Sequence, residues 1–116
     1  MSATASPPLS NDEIRAQLDK MLASAAFRDA QRPSRLLRFL VEETLAGRAA
    51  TLKEYTLGAD GLQRGPGFDP RTDPIARVEA SRLRSRLELY YSSEGALDDV
   101  LVSLPKGSYV PSFERR

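Results

Sequence analysis

The sequence predicts a mainly α-helical fold with a small β-hairpin, an α+β arrangement, and three observations predict it. Apolar residues recur at helical spacing in four separate stretches. Capping and stop residues bound those stretches. Over residues 99–113 the period then changes from helical to alternating, around a Pro-Lys-Gly-Ser turn.

A chain of 116 residues fits one domain with a modest core. Residues 1–8 are small, polar and proline-containing, and a disordered tail is expected there. The stretch "SNDEIRAQLDKMLAS" opens with a capping box, Ser10 with Glu13. Ile14, Leu18, Met21 and Leu22 follow at helical spacing, so a first helix is predicted over 11–25. Residues 9–30 form an extra N-terminal helical segment ahead of the main unit, 31–116. Its apolar stripe is expected either to cover the core or to form a homodimer seam. Phe27 lies in the connection and is expected to pack beneath it.

"PSRLLRFLVEETLAG" predicts the second helix, with Ser34 as N-cap and Gly47 as C-cap. Leu37, Leu40, Val41, Thr44 and Leu45 make one stripe, with Leu36 and Phe39 beside it. "TLKEYTLGADGLQ" carries a second box, Thr51 with Glu54, and predicts a short third helix weakened at its end by Gly58 and Gly61. "RGPGFDPRTDP" is a loop by its prolines and glycines, with Phe68 as an anchor into the core. The fourth helix has Asp73 as N-cap and Pro74 at its first position, and it is predicted over 74–92, with Gly95 ending it. At about 100° per residue, Ala76, Ala80, Leu83, Leu87 and Tyr90 fall on one core-facing side. In the last segment Val100, Val102 and Leu104 alternate with Leu101 and Ser103, and Tyr109, Val110 and Phe113 follow the turn. A hairpin over 100–113 results, with Pro111 marking an edge strand. Three helices, a long fourth helix and a hairpin are the plan of a winged helix-turn-helix, with the fourth helix reading and the hairpin as wing.

Composition limits function. The chain has no cysteine and no histidine, which removes disulfides, thiolate sites and the commonest general base. No enzyme, cofactor or small-molecule ligand is expected. "MSATASPPLS" does not resemble a secretory signal, and no apolar run approaches the ~20 residues that span a bilayer, so a cytoplasmic protein without membrane contact is expected. Asp60, Asp69 and Asp73 surround one loop, but their spacing is not that of a calcium loop. The net charge of +1 does not by itself indicate nucleic acid, so a basic signal has to be local.

That local signal is "RTDPIARVEASRLRSRLELYY", with five arginines, Arg71, Arg77, Arg82, Arg84 and Arg86. Opposite the core face stand Val78, Ser81 and Ser85; Arg77 and Arg84 lie on one flank, Arg82 and Arg86 on the other. Small residues allow close approach to a major groove, and arginine gives bidentate bonds to guanine or holds phosphates. Arg71 and Thr72 precede the helix, and Lys106 at the hairpin tip is within reach of a neighbouring phosphate or the minor groove. A plainer reading has the arginines solvated and paired, Glu79 with Arg82 or Arg86 and Glu88 with Arg84.

Residues 34–113 resemble the DNA-binding domain of OmpR/PhoB-type response regulators. "RLLRFLVEETLAG" is similar to that family's first domain helix, "FDPRTDPIARVEASRLRSRLE" to its recognition segment with the triplet Arg82, Leu83 and Arg84, and "VSLPKGSYV" to its wing. "LKEYT", "FDPRTDP" and "LPKGSY" are more similar still to a variant at the N-terminus of larger bacterial proteins, ahead of tetratricopeptide or cyclase-like modules. The resemblance implies double-stranded DNA as partner and transcription regulation as function. It places Val78, Ser81 and Arg82 at base-facing positions and Arg84 at a DNA-contacting one, whereas Arg77 has no matching arginine in the family. The family's N-terminal four-stranded sheet is missing, with the first helix in its place, and no receiver or effector is expected, so phosphorylation control does not carry over. A protein-protein interaction module on the same fold is the alternative.

Overall fold

The computed structural model describes residues 8–116. The tail expected over 1–8 therefore lies, but for its last residue, outside the described residues. Helix α1 (Asn11–Leu22) begins at the predicted capping box: the Glu13 amide donates to Ser10 Oγ and the Ser10 amide to Glu13 Oε1, both at 3.1 Å. It ends three residues earlier than predicted, in a turn where the Ser24 hydroxyl donates to the Met21 carbonyl.

Helix α2 (Gln31–Leu45) starts before Ser34, which is not its N-cap. Pro33 sits in the first turn, where a missing N–H leaves nothing unpaired that was paired before. The Ser34 hydroxyl instead donates to the Phe27 carbonyl at 2.7 Å and ties the connection down. At the other end Gly47 takes φ 84°, and the amides of Gly47 and Arg48 return to the carbonyls of Thr44 and Glu43. This Schellman closure needs the left-handed conformation that glycine adopts at little cost.

The Thr51–Glu54 box does not form. Thr51 ends a 3₁₀ turn (Ala49–Thr51), and helix α3 (Glu54–Thr56) starts too late for Glu54 to reach back. Thr56 takes that role, its hydroxyl accepting from the Lys53 amide at 2.9 Å. Nor does the helix fade at its glycines: it widens into a π-helical turn (Leu57–Gly61) closed by the Leu62 amide on the Leu57 carbonyl.

Helix α4 (Ile75–Tyr91) is one residue shorter at each end than predicted. Pro74 is the N-cap rather than the first helical residue, and Asp73 stands one position before it, accepting from the Ile75 amide at 3.1 Å. Strands β1 (Val100–Ser103) and β2 (Ser112–Arg115) pair antiparallel, from Val100 opposite Arg115 to Ser103 opposite Ser112. The second strand starts later than expected, so Tyr109 and Val110 lie in the connection, and the hairpin extends past 113. Pro111 precedes the strand and removes no ladder bond. At the turn the Ser108 amide meets the Pro105 carbonyl, with Gly107 at φ 80°.

One buried cluster joins α1, α2, the π-helical turn, α4 and β1. It holds Ile14, Leu18 and Met21 of α1, Leu36, Leu37, Leu40 and Val41 of α2, and Val100 and Val102 of β1. The stripe of α1 therefore covers the core within the chain. Phe27 and Phe68, both expected in the core, are buried there. A polar knot closes the same end: Asp98 accepts from Gln17 Nε2 at 2.9 Å, from Lys20 and from the Tyr90 hydroxyl. The Tyr91 hydroxyl donates to the Val100 carbonyl at 2.9 Å and accepts from the Val102 amide at 2.8 Å, bridging the outer side of β1. No helix among the described residues is long and apolar enough to cross a membrane.

Candidate functional site

The orientation of α4 follows from its packing. Ala76, Ala80, Leu83, Leu87 and Tyr90 are all buried, the face the spacing predicts. Val78, Ser81 and Ser85 are consequently left outward, and Val78 remains 41% exposed. Ser81 and Ser85 stand on a ridge between two grooves. One runs toward the start of α2, past Ala30, Arg32 and Leu89. The other runs toward the hairpin, past Leu101, Leu104 and Lys106.

The five arginines separate into two kinds. Arg84 reaches back to the hairpin, donating to the carbonyls of Leu104 at 3.1 Å and Ser108 at 2.9 Å, with Pro105 at 3.4 Å. Arg86 donates to the Ala26 carbonyl at 3.0 Å. Both are half-buried and tie α4 to its neighbours. The others are outward. Arg77 meets Glu54 at 2.7 Å, and Arg71 meets Asp69 at 3.2 Å. The Arg71 guanidinium, helped by its amide, holds the Asp69 carboxyl below the usual range. The Thr72 hydroxyl turns back to the Asp69 carbonyl. Arg82 contacts Glu79 at 3.1 Å, yet its side chain is 64% exposed. Lys106 is exposed at the turn of the hairpin.

Two features differ from the sequence reading. Glu88 does not take Arg84, whose guanidinium is occupied by carbonyls, and Glu88 stays exposed. Glu79 is not a surface partner: it is 1% exposed, with Arg82 at 3.1 Å and Arg32 at 3.7 Å from the same oxygen, Oε2. Its position was readable, because Ile75, Glu79 and Leu83 form one i, i+4 row along the core edge. Arg32 was missed because its partner comes from another helix.

The arrangement offers a shallow ridge of small side chains with a cation raised beside it and a basic turn across from it. Asp69 is held by Arg71, and Asp73 by the Ile75 amide and Arg64 at 3.5 Å. Among the described residues no group of three potential ligands could hold a metal ion. Compared with known proteins, the chain matches no family model, no curated protein and no solved structure, so the likeness to the OmpR/PhoB-type domain rests on its own quoted residues.

Proposed function

We propose that the chain is a winged helix-turn-helix module that reads double-stranded DNA and regulates transcription, with α4 in the major groove and the β1–β2 hairpin as wing. The observation that carries this reading is the uncovered ridge of α4. Core packing turns Val78, Ser81 and Ser85 outward with Arg82 beside them, small enough for close approach and charged enough to bond a base edge. Arg84, by its three carbonyl contacts, sets the angle between α4 and the wing. Lys106, exposed at the turn of the hairpin, would meet a phosphate as the wing tip. Arg71 and Thr72, ahead of α4, and Arg77, in its first turn, are left with backbone-phosphate roles at the edge. One such module covers few base pairs, so tight binding calls for two copies on neighbouring half-sites.

A second reading has a specific observation behind it. Val78 and Leu89, 41% and 50% exposed, lie on the same outward side and would suit a protein partner. Selection from a pool of random duplexes separates the two. Enrichment of a shared motif that Arg82→Ala abolishes is the expected result. A folded protein that enriches no motif ends the DNA-reading proposal and leaves the ridge to a protein.

A further inference from the structure

The geometry points to a phosphate site in the groove between the first turn of α2 and α4, taking one oxyanion of the DNA backbone; this rests on the DNA reading above. The groove, about 560 Å³ and open, is lined by Arg32 of α2 and by Arg82 and Arg86 of α4, with the Ser81 and Ser85 side chains at its edge. Three arginines line it against a single carboxylate, Glu79; the Arg86 guanidinium is taken by the Ala26 carbonyl, which leaves Arg32 and Arg82 as the pair that would meet an anion.

Glu79 shows that the arrangement is unfinished. The residue is 1% exposed, and its Oε1 is buried without a hydrogen-bond partner. Buried carboxylate oxygens are almost always paired, because desolvation without a partner is costly. The available donor is Arg32, whose Nη1 stands 3.7 Å from Oε2, attracted but beyond a hydrogen bond. A guanidinium carries five donors and can serve two anions at once. An oxyanion on the outer side of Arg32 and Arg82 would offset their mutual repulsion and let Arg32 close onto Oε1. Glu79 is then a positioning residue beneath the pair, and the phosphate completes the stack.

The first turn of α2 adds to this. Ala30 gives it no side-chain cap, and it holds no acidic residue, so its positive end is not neutralised locally. Placement favours a backbone phosphate over a free one. The groove borders the ridge of Ser81 and Ser85 on one side, while Lys106 borders it on the other. Two cationic spots straddling a reading ridge match the two phosphate strands that straddle a major groove.

The test measures binding of the full chain to a mixed-sequence duplex over a range of salt, for the parent, Arg32→Ala and, as a control, Arg38→Ala, an exposed arginine of α2 that does not line the groove. Arg32→Ala should lower the slope of log affinity against log salt by about one, equally for all sequences, and Arg38→Ala should leave it unchanged. Equal slopes for Arg32→Ala and parent, or equal losses in both variants, overturn the site while the DNA reading stands. A parent that binds no duplex overturns the DNA reading, and inorganic phosphate followed by amide chemical shifts then decides the site. Shifts centred on Arg32, Ser81 and Ser85 that vanish in Arg32→Ala keep an anion site; their absence removes it.

Discussion

At the scale of single residues, two arginines of one triplet have opposite expected consequences. Arg82 is largely in solvent beside the ridge, so Arg82→Ala should leave thermal stability nearly unchanged and cost on the order of 1–3 kcal/mol of specific DNA affinity. Equal affinity of parent and variant for the best site would remove Arg82 from the reading face. Arg84 holds three hairpin carbonyls, and removing a charged donor from such acceptors costs about 1.5–3 kcal/mol. Arg84→Ala should therefore melt earlier and speed amide exchange in the hairpin, and Arg84→Lys should not rescue it, because one ammonium cannot span the three. Nothing local in the sequence separates these two side chains. Spacing gives their angles on α4, but the destination of Arg84 depends on a turn that only the folded chain brings near.

Elements were legible to the extent that their signals were local. The core face of α4 follows from strict helical spacing, and the cap at Ser10 from two residues three apart. Ser34 misled because a good capping residue was present, while the competing acceptor, the Phe27 carbonyl, belongs to the preceding connection. Thr51 misled because the box pattern was right and the chain spent one more turn as 3₁₀ before α3 began. The place of α1 carries its own prediction. Ile14, Leu18 and Met21 are buried, and full burial of such side chains contributes roughly 1.5–3 kcal/mol each, set against a typical total stability of 5–15 kcal/mol. Gln17 and Lys20 also supply two of the donors to Asp98. A chain beginning at Gln31 should thus lack a cooperative thermal transition; a sharp melt like that of the parent would show α1 to be dispensable.

For the whole molecule, the knot at Asp98 makes stability depend on acid. Burial pushes the Asp98 carboxyl up, but bonds from Gln17, Lys20 and Tyr90 outweigh it and bring it down to about 2. The folded state thus favours the charged form, and the contribution is present above the ordinary carboxylate pKa of 3.8 and lost as pH falls toward 2. Urea unfolding between pH 6 and pH 2 should show the parent losing on the order of 2 kcal/mol more than Asp98→Asn, which has no proton to gain at that position. Equal losses would place the acid sensitivity elsewhere. The neighbouring Tyr90 hydroxyl is held protonated, by burial first and then by its bond to Asp98, so it stays a donor throughout this range.

The bridge made by Tyr91 has a consequence for how molecules meet each other. A two-stranded ribbon offers two open flanks to any extended peptide, and on the β1 flank a single hydroxyl takes one carbonyl, that of Val100, and one amide, that of Val102, from the groups a third strand would use. Tyr91→Phe keeps the ring and reopens that flank. The variant should stay folded when dilute, yet form thioflavin-positive assemblies on concentration at a rate the parent does not reach, so that one phenolic oxygen acts as the molecule's guard against templated self-association.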